Sequence, residues 1–411
     1  MNTVRLRYLA QINPLSRVFD RLSPDDELTF LPMEAVWPGE RLDVSRLRTK
    51  AAVATGYTRF QEGDVLVPKI TPTFEAGRAV LIRGLRNGVG AGTTELHVLR
   101  AGPLIDPRFL LYVVNTHSFL KLGEAEMYGV AGQQRVPDDF LRDLPVPLLS
   151  LDEQRRIADF LDFETARIDR LMEKMRSQDE LLSSRRRAVL AATWHPDVRV
   201  ARLGYFLSLV TSGPRGWGEY VSSEGNMFFR SANLRRDSTE PKLTSVAYVE
   251  PPPSALAESI RSTVHSGDVL VGITGANTGW VCLANQDVVG ANVSQHVCLL
   301  RPSRLVSGKW LAYLLSSPPV QDSLLGSQYG GTKTQLSLPD LRDLKVPIPE
   351  RRKQQSVADE IQHQIIAIES ERGARARQFA LLIERRQALI TAAVAGQLDV
   401  TTARPTHDRD L

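Results

Sequence analysis

The heptapeptide LRDLPVP at residues 141–147 recurs as LRDLKVP at residues 341–347, 200 residues later. The same spacing relates further identical positions, among them Gln154 and Gln354, Ala158 and Ala358, Asp159 and Asp359, and Ile168 and Ile368. An ungapped match over about 50 positions predicts a tandem repeat, in which both units are built from the same elements.

The similarity continues upstream with small shifts, as expected when loops differ in length. GDVLV occurs at both 63–67 and 267–271, and we expect each copy to form a turn followed by a buried strand. Gly, Pro and Asn bound other short β-rich runs, and each unit contains a short helical stretch, 107–116 and 307–317. Each upstream part is therefore predicted to be a mixed α+β domain, whose sheet order the sequence leaves open.

A long helical stretch follows each α+β part. Residues 152–194 contain neither Pro nor Gly, and residues 350–395 contain a single glycine, Gly373. Apolar residues at alternating steps of four and three indicate a heptad seam. The predicted seam residues are Ile157, Leu161, Ile168, Leu171, Met175, Leu182, Val357, Ile361, Ile368, Leu382 and Leu389. A helix of about 40 residues is about 60 Å long, and two such seams predict an intramolecular antiparallel pair.

The predicted fold class is therefore α+β, with two mixed domains joined by two long antiparallel helices that form an intramolecular coiled coil, as a pseudo-twofold tandem repeat. The predicted boundaries are 1–149 for the first α+β domain, 150–196 for the first long helix, 197–348 for the second domain, 349–396 for the second long helix, and 397–411 for a C-terminal tail.

Composition narrows the classes of function without selecting one. The 411 residues include 51 basic and 47 acidic side chains, and this balance permits a polyanionic partner without indicating one. Two cysteines are too few for a disulfide scaffold or a structural zinc site. No apolar run is long enough to span a membrane, and the N-terminus lacks a signal-peptide core, so we expect a cytoplasmic protein with no membrane partner.

Sequence patterns of catalysis are weak throughout. No phosphate-binding loop with a correctly placed lysine and no Gly-x-Ser-x-Gly elbow occurs, and the seven histidines are scattered. Asp138 and Asp139 follow Pro137, where they are expected to cap a helix. We therefore expect no enzymatic activity, no metal site and no cofactor bound by this chain.

The duplicated order of an α+β domain and a long helix resembles the specificity subunit of a type I restriction–modification system. The residues that carry the resemblance are GQQRVPD at 132–138, LRDLPVP at 141–147, EQRRIA at 153–158, GTKTQL at 331–336, QQSVA at 354–358, LPMEAV at 31–36, FRSANL at 229–234 and ITAAVAGQL at 390–398. The resemblance extends over most of the chain.

The resemblance implies a subunit without catalysis of its own. Each α+β domain would be a target-recognition domain that reads one half of a bipartite double-stranded DNA sequence, and the helix pair would set the unread spacer. Partners would be two modification (adenine methyltransferase) subunits that use S-adenosylmethionine. Restriction (translocase-endonuclease) subunits that use ATP and Mg can also join such complexes.

Arg, Lys, Asn, Gln, Ser and Thr are the side chains that hydrogen-bond to base edges or to phosphates. The residues of these types in predicted loops, with one aromatic neighbour, are Lys69, Thr71, Gln133, Gln134, Arg135, Arg215, Trp217, Arg230, Asn233, Thr274, Asn277, Thr332, Lys333, Thr334 and Gln335. We predict DNA contacts for this group, and the alternative for any one member is a solvated loop side chain.

Two other classes of function remain open from sequence. A coiled-coil scaffold with duplicated protein- or ligand-binding domains would have no DNA role and no methyltransferase partner. A stand-alone methyltransferase or nuclease would need the cofactor-binding glycines that are missing from this sequence.

Overall fold

The computed structural model describes residues 2–35, 42–130, 132–195, 197–326 and 335–400. The chain divides into two compact units, each described by itself below. Unit 1 comprises residues 1–175 and 376–411, and unit 2 comprises residues 176–375. Each unit therefore contains one α+β part, the adjoining half of one long helix and a segment of the other.

Strands of the first α+β part form two four-stranded sheets and one short two-stranded ribbon. They are β1 (Thr3–Arg5), β2 (Ala10–Ile12), β3 (Glu27–Leu31), β4 (Leu47–Thr49), β5 (Thr58–Gln61), β6 (Val65–Pro68), β7 (Val80–Leu81), β8 (Val89–Gly92), β9 (Leu96–Ala101) and β10 (Pro145–Pro147). The sheet orders are β2-β9-β6-β7 and β4-β3-β8-β5, and β1 pairs with β10. All pairs are antiparallel except β3 with β8.

The second α+β part repeats the first sheet and the two-stranded ribbon, whereas its second sheet differs in one edge strand. Its strands are β11 (Val200–Arg202), β12 (Leu207–Ser212), β13 (Val221–Ser222), β14 (Asn226–Phe229), β15 (Ala247–Val249), β16 (Val269–Gly272), β17 (Val281–Leu283), β18 (Asn292–Val293), β19 (Val297–Pro302) and β20 (Lys345–Pro347). The orders are β12-β19-β16-β17 and β13-β15-β14-β18, and β11 pairs with β20. At the differing edge, β13 pairs with β15, where the first part has β5 paired with β8. The parallel pair is again in the second sheet, between β14 and β18.

The helices are α1 (Arg17–Arg21), α2 (Pro107–Val113), α3 (His117–Ala125), α4 (Asp138–Asp143), α5 (Leu151–Ala191), α6 (Leu256–Ser262), α7 (Gly308–Leu315), α8 (Pro318–Gly326), α9 (Leu338–Asp343) and α10 (Arg351–Val394). Helices α2 and α7 match the short helices predicted from sequence, but α3 and α8 were missed. Thr116, predicted as the end of the first short helix, instead caps α3 by accepting a hydrogen bond from the Phe119 amide.

Each GDVLV sequence forms a tight turn and a buried strand, as predicted. Gly63 and Gly267 adopt positive φ angles of 83° and 82°, and β6 and β16 are buried at every residue. The aspartate of each turn is also buried. Asp64 binds Arg100 through two hydrogen bonds of 2.8 Å, and Asp268 binds Arg301 at 2.8 and 2.9 Å. Both units thus contain the same buried ion pair.

The predicted antiparallel helix pair is confirmed within each unit. In unit 1, Asp169 of α5 lies 3.2 Å from Arg386 of α10, while Leu161 shares a core with Ala393. As α5 residue numbers fall, their α10 neighbours rise. In unit 2, Asp179 of α5 lies 3.0 Å from Arg372 of α10. Further along α5, the charge of Arg186 interacts with that of Glu369. The two helices therefore run in opposite directions in this unit as well.

Burial along the predicted seam is uneven. Buried members are Ile157, Leu161, Ile168, Leu182, Ile361 and Ile368, and half-buried members are Met175, Val357, Leu382 and Leu389. Leu171 is 46 % exposed, so its assignment to the seam is corrected. A strict seven-residue pattern drifts by about 20° per heptad on a straight helix, which turns some positions towards solvent.

A buried glutamine joins each long helix to its α+β part. Gln154 accepts a hydrogen bond from the Asp106 amide and donates to the carbonyls of Leu104 and Leu149. Gln354 makes the same three bonds, from the Ser307 amide and to the carbonyls of Leu305 and Pro349. Gln154 and Gln354 are 2 % and 0 % exposed, so these hydrogen bonds are shielded from solvent. A buried donor or acceptor that loses its hydrogen-bond partner there lowers the stability of the fold.

No helix in the described part of the chain is long and apolar enough to cross a membrane. Among the same residues, no cluster of His, Cys, Asp and Glu could hold a metal ion.

Candidate nucleic-acid interface

Three segments of unit 1 meet where β6 ends and β9 begins. The Lys69 amide donates to the Glu95 carbonyl at 2.9 Å, and the Val136 amide donates to the Lys69 carbonyl at 3.0 Å. Thr71 and Gln134 exchange two bonds, from the Thr71 amide to the Gln134 carbonyl and from the Gln134 amide to Thr71 Oγ1. The segments at 69–71, 93–95 and 133–136 therefore form one surface.

Within this surface, Arg135 and Glu95 form a two-pronged ion pair. Arg135 Nε and Nη2 donate to the Glu95 carboxylate at 2.9 and 2.8 Å, and Nη1 donates to the Gln133 carbonyl at 3.2 Å. The hydrogen bonds from Arg135 hold the pKa of Glu95 below its usual range, and the same bonds raise the pKa of Arg135. Their side chains remain 39 % and 25 % exposed, so solvent or a ligand can reach the pair.

His97 lies beneath this surface and is only 1 % exposed. Its Nε2 donates to the Val136 carbonyl at 3.0 Å, while Nδ1 lies 3.2 Å from Asp138 Oδ1. Burial lowers the pKa of His97 to about 4, because desolvation penalises the imidazolium form. His97 is therefore neutral near pH 7 and supports the loop that carries Arg135.

The equivalent surface of unit 2 has the same backbone bonds. The Ile273 amide donates to the His296 carbonyl at 3.0 Å, and the Leu336 amide donates to the Ile273 carbonyl at 2.8 Å. His296 therefore takes the place of Glu95. A β-bridge joins Thr274 to Gln335, just as one joins Ile70 to Arg135, so Gln335 takes the place of Arg135.

Hydrogen bonds link the side chains of this second surface. Thr274 Oγ1 lies 2.7 Å from His296 Nδ1, and Gln295 Nε2 lies 3.1 Å from His296 Nε2. If the Gln295 amide donates to Nε2, the ring carries its proton on Nδ1 and donates it to Thr274. Gln295, His296 and Gln335 are exposed.

Arg230 and Asn277 lie close to this second surface. The Asn277 amide group donates to the Ser231 carbonyl at 2.8 Å, and the Ser294 amide donates to the Phe229 carbonyl at 2.9 Å. Nε of Arg230 and Oγ of Ser294 are buried without a hydrogen-bond partner. Buried polar atoms are rarely left unpaired in this way.

The first cluster comprises Lys69, Thr71, Glu95, Gln134 and Arg135, and the second cluster comprises Thr274, Asn277, Gln295, His296 and Gln335.

Two of the predicted contact residues are interior side chains. Asn233 is fully buried, and its amide group donates to the carbonyls of Lys242 and Ser245. Trp217 is 2 % exposed, and its Nε1 donates to Glu258 at 3.1 Å. Because neither side chain can reach a base edge from these positions, the prediction of DNA contact is corrected for both to a structural role.

Most other predicted contact residues lie at the surface. Gln133, Arg215 and Gln335 are exposed, and half-buried are Lys69, Thr71, Gln134, Arg135, Arg230, Thr274 and Asn277. Thr332, Lys333 and Thr334 lie outside the described residues. DNA contact itself stays a prediction for all of these.

Sequence reasoning missed Glu95, Gln295 and His296. A usable signal was present, because Glu95 and His296 directly precede strands that start with Leu96 and Val297. A residue just before the strand that pairs with β6 must lie beside the residue just after β6, and that residue, Lys69, was already a candidate.

Comparison with known proteins shows what the chain is similar to. Residues 255–377 match the family model described as "Type I restriction modification DNA specificity domain". The resemblance to type I specificity subunits predicted from the sequence is therefore confirmed.

Two curated relatives from Escherichia coli carry the same resemblance. The specificity subunit of type I restriction enzyme EcoAI is 41 % identical over 156 residues, which is 37 % of this chain and 26 % of the relative. The EcoEI specificity subunit is 38 % identical over 158 residues, 38 % of this chain and 26 % of the relative. The chain thus matches about a quarter of the length of each relative.

A solved structure shows the fold over almost the whole chain. It is described as "Structural basis underlying complex assembly and conformational transition of the type I R-M system" and superposes with a TM-score of 0.75 at 21 % identity. The superposition covers 97 % of this chain and 98 % of the other. The predicted α+β fold with long helices is therefore confirmed.

Proposed function

We propose that this chain is the non-catalytic DNA sequence-recognition subunit of a type I restriction–modification complex. Each α+β part reads one half of a bipartite double-stranded DNA target, and the helix pair sets the unread spacer. The chain binds no cofactor. S-adenosylmethionine is used by two modification subunits that methylate adenine, and ATP with Mg by restriction subunits where these are present.

One observation carries the proposal: the two clusters occupy equivalent positions on equivalent scaffolds but differ in chemistry. The buried pairs Asp64–Arg100 and Asp268–Arg301 are the same in both units, as are the bonds of Gln154 and Gln354. The exposed position of Arg135 holds Gln335 in the second unit instead. Reading two different half-sites requires different base-contacting side chains on the same scaffold, and the two units show this combination.

The decisive experiment is methylome sequencing of cells that express this chain with the modification subunit encoded beside it. Cells that express the modification subunit alone are the matched control. The proposal expects a split adenine-methylated motif with an unread centre that appears only when this chain is present. A soluble complex without new methylation would contradict it and favour the scaffold function.

The spacer role has its own test. One helical turn of four residues is inserted in α5 after Met175, and a second in α10 after Arg375, so that both helices lengthen together by about 6 Å. Because a base pair rises about 3.4 Å, the unread centre of the motif should gain about two base pairs while both half-sites stay the same. A changed half-site with an unchanged centre would contradict the ruler role.

DNA affinity provides a direct control for the recognition role. The purified complex should bind a duplex containing the motif with an affinity that falls as salt rises, since phosphate contacts release counterions. Methyl transfer by this chain without any partner would overturn the non-catalytic role.

A further inference from the structure

Resting on the proposed function, we propose that one structural position in each unit selects a base of its half-site. Arg135 reads a guanine in the first half-site, with Glu95 as the residue that positions it. Gln335, at the equivalent position, reads an adenine in the second half-site.

The hydrogen bonds of Arg135 leave two guanidinium hydrogens free. Glu95 engages Nε and Nη2, and the Gln133 carbonyl engages Nη1. A guanidinium group has five N–H donors, so one hydrogen on Nη1 and one on Nη2 remain. Two donors on these neighbouring nitrogens are what guanine O6 and N7 accept in the major groove.

The role of Glu95 follows from the geometry of the pair. An exposed ion pair contributes about 0–1 kcal/mol to stability, so the pair between partly exposed side chains does little to hold the fold. Two simultaneous bonds to one carboxylate do fix the plane of the guanidinium group. Glu95 thus orders a long side chain before DNA arrives, which reduces the entropy lost on binding.

The second cluster offers different donors and acceptors at the same place. Gln335 carries an amide group, which can donate to adenine N7 and accept from adenine N6 at once. The position of Glu95 is taken by His296, which Thr274 and Gln295 hold on either side of the ring. No carboxylate is needed there because a glutamine has no charge to neutralise.

The experiment uses Arg135→Gln and Gln335→Arg in the full chain, each expressed with its modification subunit and read by methylome sequencing. Gln335→Arg is combined with His296→Glu so that the new arginine has its carboxylate. Arg135→Gln should relax one guanine of the first half-site by about 10- to 100-fold and leave the second half-site unchanged. The Gln335→Arg double variant should shift one adenine of the second half-site towards guanine and leave the first unchanged.

Each variant is therefore the control for the other, because the half-site read by the unaltered unit must persist. A phosphate contact by Arg135 would instead weaken methylation at all sites with no change of motif, and that result overturns the inference. An unchanged motif at normal methylation also overturns it, while the proposed function stands. A wild-type chain that directs no motif at all overturns the proposed function itself.

If a variant directs no methylation, a binding measurement tests the same inference. A series of duplexes is used, in each of which 7-deazaguanine replaces a different guanine of the first half-site. Each duplex therefore lacks the N7 acceptor at one position. At one such guanine, the wild-type complex should lose about 10-fold in affinity, whereas the Arg135→Gln complex should show no further loss. Equal losses in wild type and variant would overturn the inference.

The positioning role of Glu95 is tested with Glu95→Gln and Glu95→Asp. Glu95→Gln should weaken the preference for guanine without abolishing binding, and Glu95→Asp should restore part of it. A purely structural role for Glu95 would change the melting temperature and leave the base preference as it was.

Discussion

The inner framework of the two units is the same, whereas their exposed clusters differ. Asp64 and Asp268 make matching buried ion pairs, but Glu95 of the first cluster corresponds to His296 of the second. Buried groups tolerate little change because each unpaired donor or acceptor is costly. Exposed groups exchange one hydrogen-bonding partner for water at little cost, so they can diverge after a duplication and acquire different binding chemistry.

The largest expected effect is the loss of a buried ion pair. Asp64→Asn and Asp268→Asn should each lower the free energy of unfolding by about 3 kcal/mol, because an arginine is left without its buried carboxylate. Urea denaturation of the full chain measures this effect. Hydrogen exchange at β6 and β16 identifies the weakened unit.

The control for this prediction is Glu124→Gln, which removes an exposed ion pair with Lys121. It should change the free energy of unfolding by less than about 0.5 kcal/mol. If Asp64→Asn and Asp268→Asn differ by more than about 2 kcal/mol, the two frameworks are not equivalent in energy.

A somewhat smaller effect is expected from the buried glutamines. Gln154→Leu and Gln354→Leu preserve side-chain volume but leave one amide and two carbonyls of the backbone unpaired in each unit. Each should cost about 2 kcal/mol of unfolding free energy, measured by urea denaturation. Gln355→Leu on the exposed surface of α10 is the matched control, and an equal loss there would contradict the special role of the buried pair.

The third prediction is a pH dependence of stability that unit 1 has and unit 2 lacks, because only unit 1 contains the buried His97. Since burial lowers the pKa of His97 from 6.5 to about 4, the unfolded chain binds the proton more readily than the folded one. Stability supplied by neutral His97 is present above pH 6.5 and is lost as pH falls from 6.5 towards 4, by about 2 kcal/mol at pH 5. Denaturation midpoints of unit 1 between pH 7 and 5 measure it.

His97→Cys is the matched variant, because Cys298 occupies this position opposite β16 just as His97 does opposite β6. The variant should lose the extra pH dependence even if its stability at pH 7 is lower. An unchanged pH profile in His97→Cys would mean that other groups cause it.

The smallest effect is expected at the first cluster. Arg135→Gln, which installs the residue found in unit 2, should change the free energy of unfolding by less than about 1 kcal/mol. Thermal and urea denaturation of the variant at pH 7 measure this change. A loss as large as that of Asp64→Asn would show that the exposed pair belongs to the framework, and the contrast between framework and cluster would fail.

Much of the fold was predictable because it depends on local pattern. The repeat, the two long helices and the strands at GDVLV all follow from spacing, helix-forming composition and turn glycines, which act over a few residues. The missed helices α3 and α8 show the limit of such patterns. Thr116 can end one helix and cap the next, and only the packed structure shows that it does the latter.

The candidate site was predictable in outline only. Loops that follow the GDVLV strands were identified from sequence, and the four members Lys69, Thr71, Gln134 and Arg135 do come together. Burial of Asn233 and Trp217 could not be read from their types, since Asn and Trp occur on surfaces and in interiors alike. Leu171 was misplaced because a strict seven-residue pattern drifts around a straight helix, and the sequence does not show where that drift turns a position towards solvent.

The sequence by itself thus determined the duplicated architecture, the helix pair and the family resemblance, because each rests on patterns that are complete within short stretches of the chain and can be compared directly. Only the tertiary structure decided that Arg135 meets Glu95, 40 residues away, and that Gln335 and His296 hold the same places in unit 2. The physical reason is that strand pairing brings distant loops together, and the register of β6 with β9 decides which side chains become neighbours.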